Sequence, residues 1–243
     1  MTMTTVNITT TMSMSTANIT TMSINNRLKL IQSLDSLFPI GSYTLSNGME
    51  TYVQRDIVRD IATLTEHLKA YTCILSYNDL AFAAQAFNGA DLKALDALCS
   101  AVRVPSELRA GSVKQAARFL KLHTELGRYP LLERYVTLIK GGECFGHYSI
   151  AMGLFIRELG MDLYEGLELY CYSLLSSMAN HAVKLVPLRQ LDGQKALMSA
   201  FDGIAAAIER AVNADWDDLG ISGAGFDIRA MEHERLYSRL YIS

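Results

Sequence analysis

Apolar residues recur at helical spacing along this chain from Asn26 to the C-terminus. Leu64, Leu68, Tyr71 and Leu75, for example, follow one another at steps of three and four residues, which places them on one face of a helix. The period-two alternation of a half-buried strand is hard to find anywhere in the sequence. The spacing therefore predicts an all-α protein.

Start and stop signals divide this pattern into about nine helices. Asp91 and Ser106 are expected as N-caps, Gly160 is expected just after a helix, and Pro130 and Pro187 bound two others. No Pro/Gly/Ser-rich linker interrupts the series, so we expect one globular domain over residues 26–243. Among the predicted helices are Leu92–Val102, Glu107–His123, Leu131–Lys140, Tyr148–Leu159, Leu163–Val186, Gly193–Asn213 and Asp227–Tyr241.

Residues 1–25 differ from the rest of the chain in composition. They contain no charged side chain and are rich in Thr, Met and Ser. They lack the basic and apolar regions of a signal peptide and the arginines of a transit peptide. We therefore predict a disordered tail that is dispensable for folding and for complex formation.

Composition excludes several functional classes. The 22 Lys and Arg residues against 25 Asp and Glu give a net charge of −3, which does not favour nucleic-acid binding. The most apolar long window, Leu167–Leu188, is interrupted by polar and charged residues, so no membrane span is predicted. Four cysteines far apart, without a secretory signal, indicate reduced thiols in a cytoplasmic protein. With half of its residues apolar, the chain also allows for surface that partners cover.

Motifs for catalysis and for tight ligand binding are missing. The phosphate loop, Gly-x-Ser-x-Gly and His-Glu-x-x-His do not occur. Cys144 and His147 alone have metal-ligand spacing, but they supply two of the four ligands of a closed site, so a small buried cysteine beside a helix-capping histidine is favoured. We expect no enzymatic activity, no cofactor, and no tight nickel or GTP site. Four other histidines are isolated and are expected as half-exposed helix residues: His67, His123, His181 and His233.

The segment from Pro39 to Glu50 predicts a tight connection between helices. Pro39 ends one helix, Gly41 permits a positive φ, and Asn47 with Glu50 is positioned to cap the next. None of this requires Tyr43, whose ring and hydroxyl suit a half-buried contact. Whether Tyr43 faces a partner or packs on its own chain stays open.

A second connection separates two long helices near Pro187. Lys184 lies one turn before the end of the first helix, where a cation interacts favourably with the helix dipole. Asp192 is positioned to cap the second helix. These roles alone would account for both residues.

The last predicted helix has apolar or aromatic residues around most of its circumference. Its two arginines, Arg235 and Arg239, share a mostly apolar face, while Tyr237 and Tyr241 lie on the others. Such a helix is either deeply buried or also serves an interface. We favour the interface, with Arg235, Tyr237, Arg239 and Tyr241 at partner contacts, because arginine among aromatic residues is typical of interfaces.

Three segments together carry a family resemblance. They read Leu37-Phe38-Pro39-Ile40-Gly41-Ser42-Tyr43 with Gly48-Met49-Glu50-Thr51-Tyr52, then Lys184-x-x-Pro187-Leu188-x-Gln190-x-x-Gly193-Gln194, then His233-Glu234-x-x-Tyr237-Ser238-Arg239-Leu240-Tyr241-x-Ser243. In this order and spacing they resemble the urease accessory protein UreF family, and the resemblance covers the chain from about Leu28 to the end.

The resemblance implies an all-helical, dimeric, non-enzymatic chaperone for nickel insertion into urease. In that family UreF binds a scaffold protein, UreD or UreH, and the two recruit the nickel-carrying GTPase UreG and engage the urease apoprotein. By motif position, Tyr43 and Arg239 would lie at the contact region, with the C-terminal segment against UreD. Lys184 would lie in the break used for complex function. A GTPase-activating role on UreG and a generic helical interaction module remain alternatives.

Overall fold

The structure, a computed structural model, describes residues 24–242 of the chain. It contains twelve α-helices and no strand within this range, which confirms the all-α class. Short 3-10 turns lie at Ser42–Thr44, Phe201–Gly203 and Trp216–Asp218. The helices are α1 (24–34), α2 (Met49–Gln54), α3 (Ile61–Leu75), α4 (Asp79–Asn88), α5 (Leu92–Val102), α6 (Ser106–Leu126), α7 (Pro130–Lys140), α8 (Tyr148–Glu158), α9 (Leu163–Leu185), α10 (Gln190–Ser199), α11 (Ile204–Val212) and α12 (Ala224–His233).

The core is centred on α4, α8 and α9. Helix α8 is buried along nearly its whole length, and α4 is lined with alanines that let α8 approach closely. Gly153 marks the closest approach, because a Cβ atom there would overlap the carbonyl oxygen of Ala83. α9 crosses the same core and buries Tyr170 and Cys171. These three helices form the platform on which the outer helices lie.

Local signals set several helix ends as expected. The Asp91 carboxylate accepts the N–H of Ala94 at 2.8 Å, Pro130 is the first residue of α7, and Gly160 follows α8 with φ of +61°. Ser106 was wrongly expected as an N-cap. It lies in the first turn of α6 after Pro105, and its hydroxyl donates to Glu234 instead.

The described residues form twelve helices where about nine were expected, and two predicted helices differ most from the observed ones. The stretch Gly193–Asn213 is divided into α10 and α11 by a 3-10 turn, and Asp192 lies inside α10, where its carboxylate pairs with Arg189 at 2.9 Å. The last helix ends at His233 rather than Tyr241. We call the irregular residues 234–242 that follow it the C-terminal segment.

The isolated histidines are buried, contrary to the expectation of half-exposed helix positions. None of the four is more than 7% exposed. His123, for example, faces the hydroxyl of Ser33 and the aromatic ring of Phe155. Most of the predicted N-terminal tail lies outside the described residues, although Ile24 and Asn25 already belong to α1. From residue 24 to residue 242, no helix is long and apolar enough to cross a bilayer.

Candidate functional site

The C-terminal segment is held to the helical body through a buried glutamate. Glu50, on α2, is 4% exposed, and its carboxylate accepts the N–H groups of Leu240 at 2.7 Å and Tyr241 at 3.1 Å. The N–H of Ile242 donates to the carbonyl oxygen of Thr44 at 2.8 Å. These bonds give the amides at the end of the C-terminal segment partners outside α12.

His233 connects two carboxylates at the end of α12. Its Nε2 lies 3.2 Å from Glu50 and its Nδ1 lies 2.6 Å from Glu107 on α6. Arg239 donates to the other oxygen of Glu107 at 2.7 Å. The His233 ring lies between the two carboxylates, with one ring nitrogen within hydrogen-bond distance of each. The network thus joins α2, α6, α12 and the C-terminal segment.

Tyr241 anchors the far end of the segment on α9. Its ring packs edge-on against His181, with ring centroids 4.8 Å apart, and is 7% exposed. Burial lowers the pKa of His181 to about 4, and the nearby charge of Lys184 acts in the same direction. His181 is therefore a neutral partner for the Tyr241 ring at neutral pH.

The outer side of this region exposes apolar and aromatic groups. Tyr237 is fully exposed, and Arg235 is exposed without an ion-pair partner among the described residues. We use the name C-terminal face for the following exposed residues: Ile228, Met231, Arg235, Tyr237, Leu240 and Ile242. Apolar groups with aromatic and arginine side chains are typical of protein interfaces.

Tyr43 lies on the turn before α2. Gly41 has φ of +81°, as predicted, and the guanidinium of Arg118 donates to the carbonyl of Ile40 at 3.3 Å. Tyr43 follows with 61% of its surface exposed. The expected cap by Asn47 and Glu50 is wrong, because Gly48 is the N-cap without a side-chain bond and Glu50 binds the C-terminal segment instead.

Tyr43 and Lys184 line the same cavity, which has a volume of about 710 Å³. Its walls also include the ion pair between Asp79 and Arg103, at 3.0 Å, and the buried Tyr170. Because His181 lines this cavity and contacts Tyr241, the cavity adjoins the anchor of the C-terminal segment. Three separate motif segments therefore meet in space.

Comparison with known proteins identifies a family. The family model UreF matches residues 58–201, more than half of the chain. The chain belongs to the UreF family of urease accessory proteins. It is 36% identical to "Urease accessory protein UreF" of Paenarthrobacter aurescens (strain TC1) over 223 residues, covering 91% of this chain and 100% of that relative.

Other UreF relatives give the same picture. The protein of that name from Arthrobacter sp. (strain FB24) is 36% identical over 218 residues, with 89% and 97% of the two chains covered. The one from Haemophilus influenzae (strain ATCC 51907 / DSM 11121 / KW20 / Rd) is 34% identical over 223 residues, with 88% and 94% covered. The similarity thus extends over nearly the whole length of these UreF proteins.

Cys144 and His147 do not point to a common site in this UreF-family chain. The Cys144 thiol donates to the carbonyl of Leu92 at 3.7 Å, and burial raises its pKa to about 11. His147 occupies the N-cap position of α8 without a side-chain cap bond, and its ring faces the Ser112 hydroxyl at 3.3 Å. Within the described part of the chain, no group of three or more His, Cys, Asp or Glu side chains could hold a metal ion.

Sequence reasoning missed the two carboxylates that organise this part of the UreF fold. Glu50 lies in a motif that carried the resemblance, but its spacing suggested only a helix cap. Glu107 carried no signal, since an acidic residue in the first turn of a helix is common. Their partners lie more than one hundred residues away in sequence.

Proposed function

We propose that this chain is a non-catalytic adaptor in cytoplasmic urease maturation. It joins a UreD/UreH-type scaffold to the nickel-carrying GTPase UreG and helps to couple GTP hydrolysis to nickel delivery into the urease apoprotein. The observation that carries the proposal is the C-terminal face, an exposed surface on a segment that hydrogen bonds hold to the helical body. The UreF relatives, which are named as urease accessory proteins, support the same pathway.

The anchor favours docking because it orders the segment before a partner arrives. Ordering a flexible segment on binding costs conformational free energy, and fixing it beforehand removes much of that cost. Arg239 and Tyr241 hold the C-terminal segment in place, through their contacts with Glu107 and His181. Arg235 and Tyr237 are free to contact the scaffold directly.

Tyr43 and Lys184 extend the proposed contact region. Tyr43 is exposed on the turn that contacts Arg118, and Lys184 is exposed near the end of α9. We assign both to partner contact because they border the same cavity next to the anchored segment.

Co-retention of partners tests the adaptor proposal. Tagged full-length chain is mixed with a UreD/UreH-type scaffold and a UreG-type GTPase, and the retained proteins are quantified. Wild type should retain both, and a variant with Arg235→Ala and Tyr237→Ala should lose the scaffold at unchanged melting temperature. Arg59→Ala, an exposed arginine in a local ion pair, is the matched control. Failure of wild type to retain either partner would refute the proposal.

A second copy of the chain is a further proposed partner. α1 exposes Ile24, Leu28 and Ile31 at helical spacing, and it is held on α9 by the Ser173 hydroxyl, which donates to the carbonyl of Leu34 at 2.9 Å. Tyr172 of α9 and Phe201 are exposed too, with ring centroids 6.0 Å apart. A symmetric dimer would bury this apolar surface.

GTPase activation remains a second candidate because Arg235 is exposed and unpaired among the described residues. An arginine supplied in trans would raise the hydrolysis rate of UreG by orders of magnitude. Single-turnover hydrolysis by UreG with wild type and with Arg235→Ala separates activation from the adaptor role. The adaptor proposal expects equal rates.

A further inference from the structure

The outer face of α6 carries three cations in a row. Lys114, Arg118 and Lys121 follow at steps of four and three residues, so they lie on one side of the helix, and all three are exposed. The opposite side is buried and includes Phe119 and His123. We call these three cations the α6 basic stripe.

The members of the α6 basic stripe form no ion pair among the described residues, although Glu107 and Glu125 lie on the same side of α6 beyond the two ends of the stripe. Some exposed cations elsewhere are paired, as Lys69 is with Glu66 at 3.2 Å, and others such as Lys140 are single within residues 24–242 and have no neighbouring row of cations. Among the described residues, no carboxylate forms an ion pair with any member of the stripe. Arg118 donates only to the carbonyl of Ile40. Three unpaired cations in line are notable in a chain whose net charge is −3.

The stripe is continuous with the proposed docking region. Glu107, which binds Arg239 and His233, lies on the same side of α6, two turns before Lys114. Near the middle of the stripe, Arg118 contacts the turn that presents Tyr43. A partner seated on the C-terminal segment would therefore reach along α6.

We propose that the α6 basic stripe receives an acidic face of the scaffold protein that docks on the C-terminal segment. This inference rests on the proposed adaptor function and names the chemistry of the contact. Complementary charge at an interface mainly accelerates association and fixes register. Nucleic acid fits less well, because a chain of net negative charge with one three-cation stripe would bind it weakly at physiological salt.

Association kinetics at varied salt test the inference. Full-length chain carrying Lys114→Glu and Lys121→Glu is passed over immobilised UreD/UreH-type scaffold between 25 and 300 mM NaCl. The matched control carries Lys69→Glu and Lys140→Glu, which change net charge equally on α3 and α7. We expect the stripe variant to associate about tenfold more slowly at low salt and to lose most of the salt dependence. The control should stay near wild type.

The outcomes separate the two proposals. Equal association rates and salt slopes for stripe variant, control and wild type would overturn the inference and leave the adaptor function standing. No scaffold binding by wild type would overturn both. Binding of a 30-base-pair DNA duplex at 150 mM NaCl that the stripe variant loses, with scaffold binding unchanged, would assign the stripe to nucleic acid instead. If the glutamate variant melts early, Lys114→Gln with Lys121→Gln replaces it with the same expected direction.

Discussion

The carboxylate of Glu50 is buried and accepts two backbone amides from a segment about 190 residues away in the chain. Glu50→Gln keeps the size of the side chain but removes its charge and places a donor where an acceptor is needed. We expect a loss of about 1–3 kcal/mol in stability, because hydrogen bonds to charged groups are the stronger ones. Hydrogen exchange should show faster exchange at Leu240 and Tyr241.

Glu66→Gln is the control for that variant. Glu66 is exposed and pairs only with Lys69, so its replacement should change stability by less than about 1 kcal/mol. Unchanged protection of the Leu240 and Tyr241 amides in Glu50→Gln would show that Glu50 does not hold the C-terminal segment.

Gly41 combines a positive φ with close packing. At φ of +81° a non-glycine residue costs about 1 kcal/mol, and a Cβ atom would also overlap the guanidinium of Arg118. Gly142 has φ of +74° but open space around it, so Gly142→Ala measures the backbone cost alone. We expect Gly41→Ala to lose about 1 kcal/mol more than Gly142→Ala in urea unfolding, because the arginine end must move aside and give up its hydrogen bond to the Ile40 carbonyl. Adding Arg118→Ala should remove the difference, and an equal loss in both glycine variants would contradict the packing argument.

At the scale of elements, the C-terminal segment contacts three helices, α2, α6 and α9. A chain ending at Leu236 lacks both amides that bind Glu50 and the ring that covers His181. We expect it to lose about 2–4 kcal/mol, because a buried carboxylate is left with fewer donors. Tyr241→Phe keeps the ring and the backbone bonds, and the Tyr241 hydroxyl has no described partner, so it should melt like wild type. A truncated chain as stable as Tyr241→Phe would mean that the segment is not anchored.

The helix bounds show which elements the sequence predicts and which it does not. The bounds of α5 were predicted to the residue, because its apolar spacing and its Asp91 cap are local signals. α4 was missed, since a helix packed against α8, α9 and α11 is apolar on several sides and shows little periodicity. α12 was predicted too long, since the competing acceptor for its amides, Glu50, is distant in sequence.

For the candidate site, the sequence identified the motif segments but not how they are arranged in space. The motif segments around Tyr43, Lys184 and Arg239 were singled out from the sequence. These segments meet through contacts with Glu107 and His181. Neither residue was predicted as part of the site, because contacts between distant helices leave no periodic signal.

For the whole molecule, buried histidines predict sensitivity to mild acid. Burial lowers the pKa values of His67, His147 and His181 to about 4, and each has a ring nitrogen without a described partner. The unfolded chain binds protons near pH 6.5, so it holds more protons than the folded chain between pH 6.5 and 4. As the pH is lowered from 6.5 to 4, the free energy of unfolding should therefore fall, by at most about 1.4 kcal/mol per pH unit for each histidine.

Urea unfolding at pH 7, 6 and 5 measures this dependence. His67→Gln should reduce the slope by about one histidine's share, because Gln does not titrate. Lys29→Gln, an exposed change on α1, should leave the slope unchanged. A wild-type stability that stays constant from pH 7 to pH 5 would contradict the assignment of neutral buried histidines.

Self-association also belongs to the scale of the whole molecule. The exposed side of α1 carries Ile24, Leu28 and Ile31, and apolar surface of this kind is stabilised when a second copy covers it. Leu28→Glu places a charge in the middle of this surface, where burial in a dimer would be costly. We expect sedimentation to show a dimer for wild type at micromolar concentration and a monomer for Leu28→Glu, with both melting alike when dilute. Phe145→Glu, an equally exposed apolar position on the α7–α8 loop, should remain dimeric. If Phe145→Glu dissociates the dimer and Leu28→Glu does not, the dimer uses a different face from the one that α1 presents.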